Sequence, residues 1–140
     1  MADPTNPRYF VTVFGDPEKR GDAVESGTYT AGENYPSFTV QPGDVMLLYC
    51  TEEYMVYSLA FAGIGIVLDV IREVPETIRY RWIPFSQPIL RSEMNQAFDA
   101  EDLAKMAGSN LRFSTRRVFD ISKRSFDALV GQRLTAWNRL

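Results

Sequence analysis

The chain contains no histidine and a single cysteine, Cys50. Without an imidazole, the Ser-His-Asp and Cys-His arrangements of nucleophilic catalysis are unavailable, as are histidine-ligated zinc hydrolases and deaminases. One thiol cannot close an internal disulfide, and with no histidine beside it Cys50 cannot complete a typical tetrahedral zinc site. No metal and no cofactor are therefore expected. No apolar run reaches the roughly 18 residues of a membrane span, and the opening MADPTNPRYF has no basic flank leading into an apolar stretch. Membrane and signal-peptide roles are excluded on that pattern, and the cytoplasm is the expected compartment. Positive charge is also scarce: 15 Lys and Arg against 18 Asp and Glu give a net charge of −3. That balance opposes strong non-specific attraction to a phosphate backbone.

The 140 residues, 45% hydrophobic and 24% charged, fit a single globular domain over 1–140, with a core spanning about 8–131. Charge is uneven: residues 1–70 carry 3 basic and 10 acidic side chains, residues 71–140 carry 12 and 8. Of the 15 basic residues 12 are arginine, whose planar fork suits phosphate or carboxylate.

Arg8 to Phe14 is β-branched and aromatic and stops at Gly15-Asp16-Pro17, which predicts a first strand. Gly15 to Asp44 is polar and Gly-rich and is expected to be a long functional loop with short local helix. Pro42-Gly43-Asp44 turns into a second strand, Val45 to Thr51, and Leu59 to Val70 predicts a third. In that third strand Gly63 and Gly65 bare one face, so that a backbone, an aromatic ring or a ligand can approach closely. Thr77 to Ile83 alternates, with Ile78, Tyr80 and Trp82 on one face and Arg79 and Arg81 on the other. Asp99 is positioned to cap a short helix ending at Gly108, Leu111 to Ile121 alternates as a strand, and Ser122 caps a helix with Phe126, Leu129 and Val130 on its apolar stripe. Val11, Val13, Leu47, Ile64, Ile66, Trp82, Phe119 and Phe126 are expected in one core. Strands that do not alternate regularly with helices imply an α+β barrel rather than a doubly wound sheet.

Three segments resemble the EVE domain of the PUA-like superfamily. Pro42 to Tyr49 is similar to that family's glycine-aspartate turn into a strand ending in an aromatic residue. Ala62 to Val67 is like its glycine-containing central strand, which is followed by a strand bearing Trp82. Leu111 to Ile121 running into Ser122 to Leu129 is similar to its last strand and Ser-capped helix. The resemblance implies a PUA-like mixed β-barrel with short peripheral helices, and a pocket for a modified base or nucleotide, as in the related YTH, ASCH and SRA folds. The sequence departs from the family in the loop after the first strand, which has no tryptophan, and in carrying Cys50 and Thr51 where many members place a histidine.

From the residues themselves, the expected loop offers Tyr29, Thr30, Asn34 and Tyr35, rings for stacking and an amide for a base edge. Cys50 and Thr51 at the end of the second strand, with Tyr54 and Tyr57 beyond it, are placed to complete a ligand site, although exposed tyrosines serve a protein partner equally well. Arg112, Arg116 and Arg117 are candidate phosphate contacts. The expected function is a non-enzymatic reader of modified DNA or RNA, or of a nucleotide. The alternatives are a protein-interaction adaptor and an ASCH-like hydrolase or nuclease. The last is disfavoured because the glycine-lysine-glutamate type of motif is missing and the only lysines are Lys19, Lys105 and Lys123.

Overall fold

The computed structural model describes residues 7–15, 17, 23–30, 39–52, 54–73, 76–107 and 117–131. Six strands form one mixed sheet: β1 (Tyr9–Phe14), β2 (Thr28–Thr30), β3 (Val45–Cys50), β4 (Ala60–Ile71), β5 (Thr77–Leu90) and β6 (Arg117–Ile121). Their spatial order is β2-β5-β4-β3-β1-β6. Only the β1–β3 pair is parallel among these ladders. Among the described residues three short α-helices accompany the sheet, α1 (Met94–Ala97), α2 (Ala100–Ala107) and α3 (Lys123–Val130). This is the expected α+β class, a curled half-barrel with peripheral helices. No described helix is long and apolar enough to cross a membrane.

The central strands are apolar because both of their faces are covered. In β3, Val45, Leu47 and Tyr49 join a cluster roofed by Met94, Met106, Phe126 and Leu129 from the helices, while Met46, Leu48 and Cys50 face a second cluster. The single core expected from the pattern is thus two, one on each side of the sheet. Two of its expected members, Ile66 and Trp82, are only half-buried.

The second cluster is enclosed by the sheet's own curl. β2 and β1 lie near opposite ends of the strand order, yet the Tyr29 ring packs edge-on against Phe14 at 4.9 Å and its hydroxyl donates to the Val13 carbonyl at 2.8 Å. Irregular pairing at Leu48/Tyr49, Phe61/Gly63 and Val67/Asp69 sharpens the bend, as bulges increase local twist. The bare face expected at Gly63 and Gly65 is used for close packing. A Cβ on Gly63 would collide with the Ile83 carbonyl, and one on Gly65 would sit 2.7 Å from the Tyr80 ring.

The segment expected as a long loop with short local helix does carry a 3-10 turn at Val24–Ser26, and is corrected by strand β2. β5 is also longer than expected, running to Leu90 through Pro84 and Pro88. Beyond Arg79 its outer edge pairs with no strand among the described residues, so two missing N–H groups break no described ladder.

The expected caps are present. Asp99 Oδ1 accepts from the Asp102 N–H at 3.0 Å, and Ser122 Oγ accepts from the Ser125 N–H at 3.0 Å. The two caps interlock, because the buried Asp102 carboxylate accepts from the Ser125 hydroxyl at 2.7 Å and from the Ser122 N–H at 3.0 Å. At the same end of the sheet, beside the start of β1, buried Asp44 accepts from the Arg8 N–H, the Arg8 guanidinium and the Gln41 N–H, tying the Pro42-Gly43 turn to that strand.

Candidate functional site

The C-terminal end of β3 is where the sheet, the first 3-10 turn and the β3–β4 connection converge, and most of the described site candidates lie around it. The structure turns three of them inward. Tyr29 is fully buried in barrel closure and presents no free ring for stacking. Cys50 faces the same interior, and burial pushes its thiol far above its ordinary range, so it stays protonated and unreactive. Tyr54 is buried against the 3-10 turn, where its hydroxyl accepts from the Val24 N–H at 3.2 Å; burial raises its pKa to about 12. Tyr57 is half-buried, its ring 5.7 Å from that of Tyr54. Thr30 ends β2, half-buried. Asn34, Tyr35, Arg112 and Arg116 lie outside the described residues, and of Arg117 only the backbone, the first position of β6, is described.

Thr51 leads to a feature on the other side of the strand. Its hydroxyl and that of Tyr49 are buried, and neither has a hydrogen-bond partner among the described residues. Leaving such a group unpaired costs about 1–3 kcal/mol each, so two neighbouring cases mark a place where the fold gives up stability. Tyr49 packs on Phe61 with ring centroids 5.0 Å apart, and the Arg91 guanidinium lies over its ring at 6.0 Å. Burial raises the Tyr49 pKa, and the adjacent Arg91 side chain opposes this. The phenol is neutral at physiological pH and able to donate.

Arg91 in turn lines an open groove of about 580 Å³. Leu59, Leu90 and Met94 give it an apolar wall, and Ser58, Ser92 and Asn95 add polar groups. The main chain joins these pieces: the Leu59 N–H reaches the Thr51 carbonyl at 3.5 Å, and the Arg91 N–H donates to the Leu59 carbonyl at 2.9 Å. Leu59 holds φ at 55°, in the left-handed region where a bulky side chain is strained. Sequence reasoning missed Tyr49, Arg91, Ser92 and Asn95. A tyrosine inside an apolar strand reads as core, and that its hydroxyl is unpaired is a fact of three dimensions only.

A curled mixed sheet of this kind, with a few short helices, matches the fold of ASCH and YTH domains. Among solved structures, the chain is similar to Rpa0253 from Rhodopseudomonas palustris, with a TM-score of 0.60, 14% identity, and coverage of 87% of this chain and 90% of that one. It is also similar to the Pho92 YTH domain in complex with m6A, with a TM-score of 0.57, 10% identity, and coverage of 95% and 89%. An ASCH protein from Zymomonas mobilis follows with a TM-score of 0.52, 11% identity, and coverage of 91% and 95%. No family model and no curated protein matches the sequence.

Proposed function

We propose that the protein is a non-catalytic module that binds DNA or RNA and recognises a modified base, using the groove at the end of β3. The observation that carries this is the likeness, over nearly all of the chain, to a YTH domain whose structure holds m6A. The sequence resemblance to EVE domains points to the same ligand class. A fold carries no function by itself, so the chemistry of the groove matters. It offers one cation, three polar side chains and an apolar wall, the mixture that ligand pockets use to orient a flat heterocycle. The chain has no imidazole for acid-base work, and burial suppresses ionisation of Tyr49 and Cys50 alike. Arg79 and Arg81 project from the exposed face of β5 and can add non-specific phosphate contacts.

The test is titration of the protein with single- and double-stranded oligonucleotides carrying or lacking modified adenine or cytosine, followed by calorimetry and tryptophan fluorescence. One modified strand is expected to bind at least about tenfold more tightly than its unmodified counterpart. Negligible binding to all of them at high micromolar concentration would instead favour an adaptor. Met55 and Val56, 85% and 78% exposed beside the groove, give that second reading its specific support.

A further inference from the structure

We infer that the apolar end of the sheet around Met55, Val56, Leu59 and Leu90 is a self-association surface, on which a second copy of this chain docks about a two-fold axis with Arg91 of each copy against Glu52 of the other. The inference is independent of the nucleic-acid reading. Taken together, the two make strand and second copy alternatives, because both use Leu59, Leu90 and Arg91.

Apolar exposure is concentrated at this end. Of the six large hydrophobic side chains exposed among the described residues, four are Met55 at 85%, Val56 at 78%, Leu90 at 58% and Leu59 at 39%. Connectivity and register place them together: the 3-10 turn Met55–Tyr57 contacts β4, Leu59 directly precedes that strand, and Leu90 is the cross-strand partner of Ala60, its first residue. Apolar surface gathered in this way on a folded chain marks an interaction site. The turn presents Met55 and Val56 on a fixed base, since Tyr54 is buried, its N–H donates to the Thr51 carbonyl at 3.0 Å and its hydroxyl accepts from the Val24 N–H. Little ordering entropy is then lost on docking. Charge selects the occupant. Arg91 on the groove wall and the exposed Glu52 belong to the same end, and neither forms an ion pair among the described residues. Beneath the burial that raises the Tyr49 pKa, Arg91 lowers it and Glu52 raises it, so both charges lie close to the end of β3. A face with one unpaired cation and one unpaired anion beside an apolar centre is complementary to itself under a two-fold rotation, where residue i meets residue j and j meets i. A protein partner of a single sign would neutralise only one of the two.

The experiment is sedimentation velocity on wild type, Glu52→Arg, Arg91→Glu, an equimolar mixture of those two variants, and the double variant Met55→Ser with Val56→Ser, with melting at low concentration as the check on folding. Wild type is expected to pass from monomer to dimer at about tens of micromolar, the scale of a small interface. Each charge reversal should weaken the dimer about tenfold or more by setting like charges together, and the mixture should restore it, since only the mixed dimer pairs opposite charges at both contacts. The double variant alters two side chains that are exposed in the monomer, so it should keep the melting temperature and lose the dimer, which tests the surface even where Arg91→Glu fails to fold. Wild type that stays monomeric up to about 500 µM overturns the inference. A dimer indifferent to the double variant, or a mixture no more dimeric than its components, also overturns it. Adding the tightest strand from the titration above separates the two readings: strand bound by a chain that is monomeric throughout overturns the dimer and leaves the reader, whereas a dimer that binds no strand supports the inference and sinks the reader.

Discussion

Replacing Tyr29 with alanine should cost about 3–5 kcal/mol of folding stability, although the residue lies in a polar stretch that reads as a surface loop. The ring is fully buried, sits against Phe14 at 4.9 Å, and bridges the edge strand β2 to β1 through its hydroxyl bond to the Val13 carbonyl. Removing it opens a cavity at the seam where the half-barrel closes. Tyr29→Phe keeps the packing and removes only that hydrogen bond, and should cost about 0.5–1.5 kcal/mol. Urea denaturation of both variants separates the two contributions. A loss below about 0.5 kcal/mol in Tyr29→Ala would mean that β2 does not close the barrel.

Gly63→Ala should also destabilise the fold, because the added methyl group has nowhere to go. Its Cβ would meet the Ile83 carbonyl, the Pro84 Cα at 2.8 Å and the Trp82 ring at 2.9 Å, and the first two belong to backbone of the adjacent strand. Overpacking of this kind costs about 1–3 kcal/mol, and Gly63→Val should exceed the alanine variant. At Gly65 the obstacle is a side chain, Tyr80, whose own hydroxyl is held by the Val24 carbonyl, so relief by rotation is limited there too. Thermal melting checks the series; an unchanged midpoint in Gly63→Ala would show that β4 and β5 do not approach as described.

What the sequence revealed follows from how each element advertises itself. β1, β3 and β4 are long apolar runs flanked by turn residues, and the caps at Asp99 and Ser122 satisfy helix termini by local chemistry, so both kinds of element were legible. β2 was not, because three residues, Thr28-Tyr29-Thr30, are too short to show a period and gain their strand from β5, some fifty positions away. The second half of β5 was hidden by Pro84 and Pro88, which argue against a strand unless one edge is unpaired. The two-sided core escaped because alternation assigns one face to the interior, whereas β3 buries both. The candidate site was legible only as a location. The end of β3 was singled out through Cys50 and Thr51, but the residues most visible as aromatics, Tyr29 and Tyr54, serve the interior. Arg91 gave no signal, since nothing in its neighbours announces that it covers a tyrosine from β3.

We propose that nucleic acid binds in the groove between the start of β4 and the end of β5. The most direct measurement is a 15N-labelled two-dimensional NMR titration with the modified strand that binds tightest. The expected result is progressive shifts concentrated at Ser58, Leu59, Arg91, Ser92 and Asn95, fading away from that end of the sheet. Shifts confined to α2 and α3, or none at saturating strand, would contradict it.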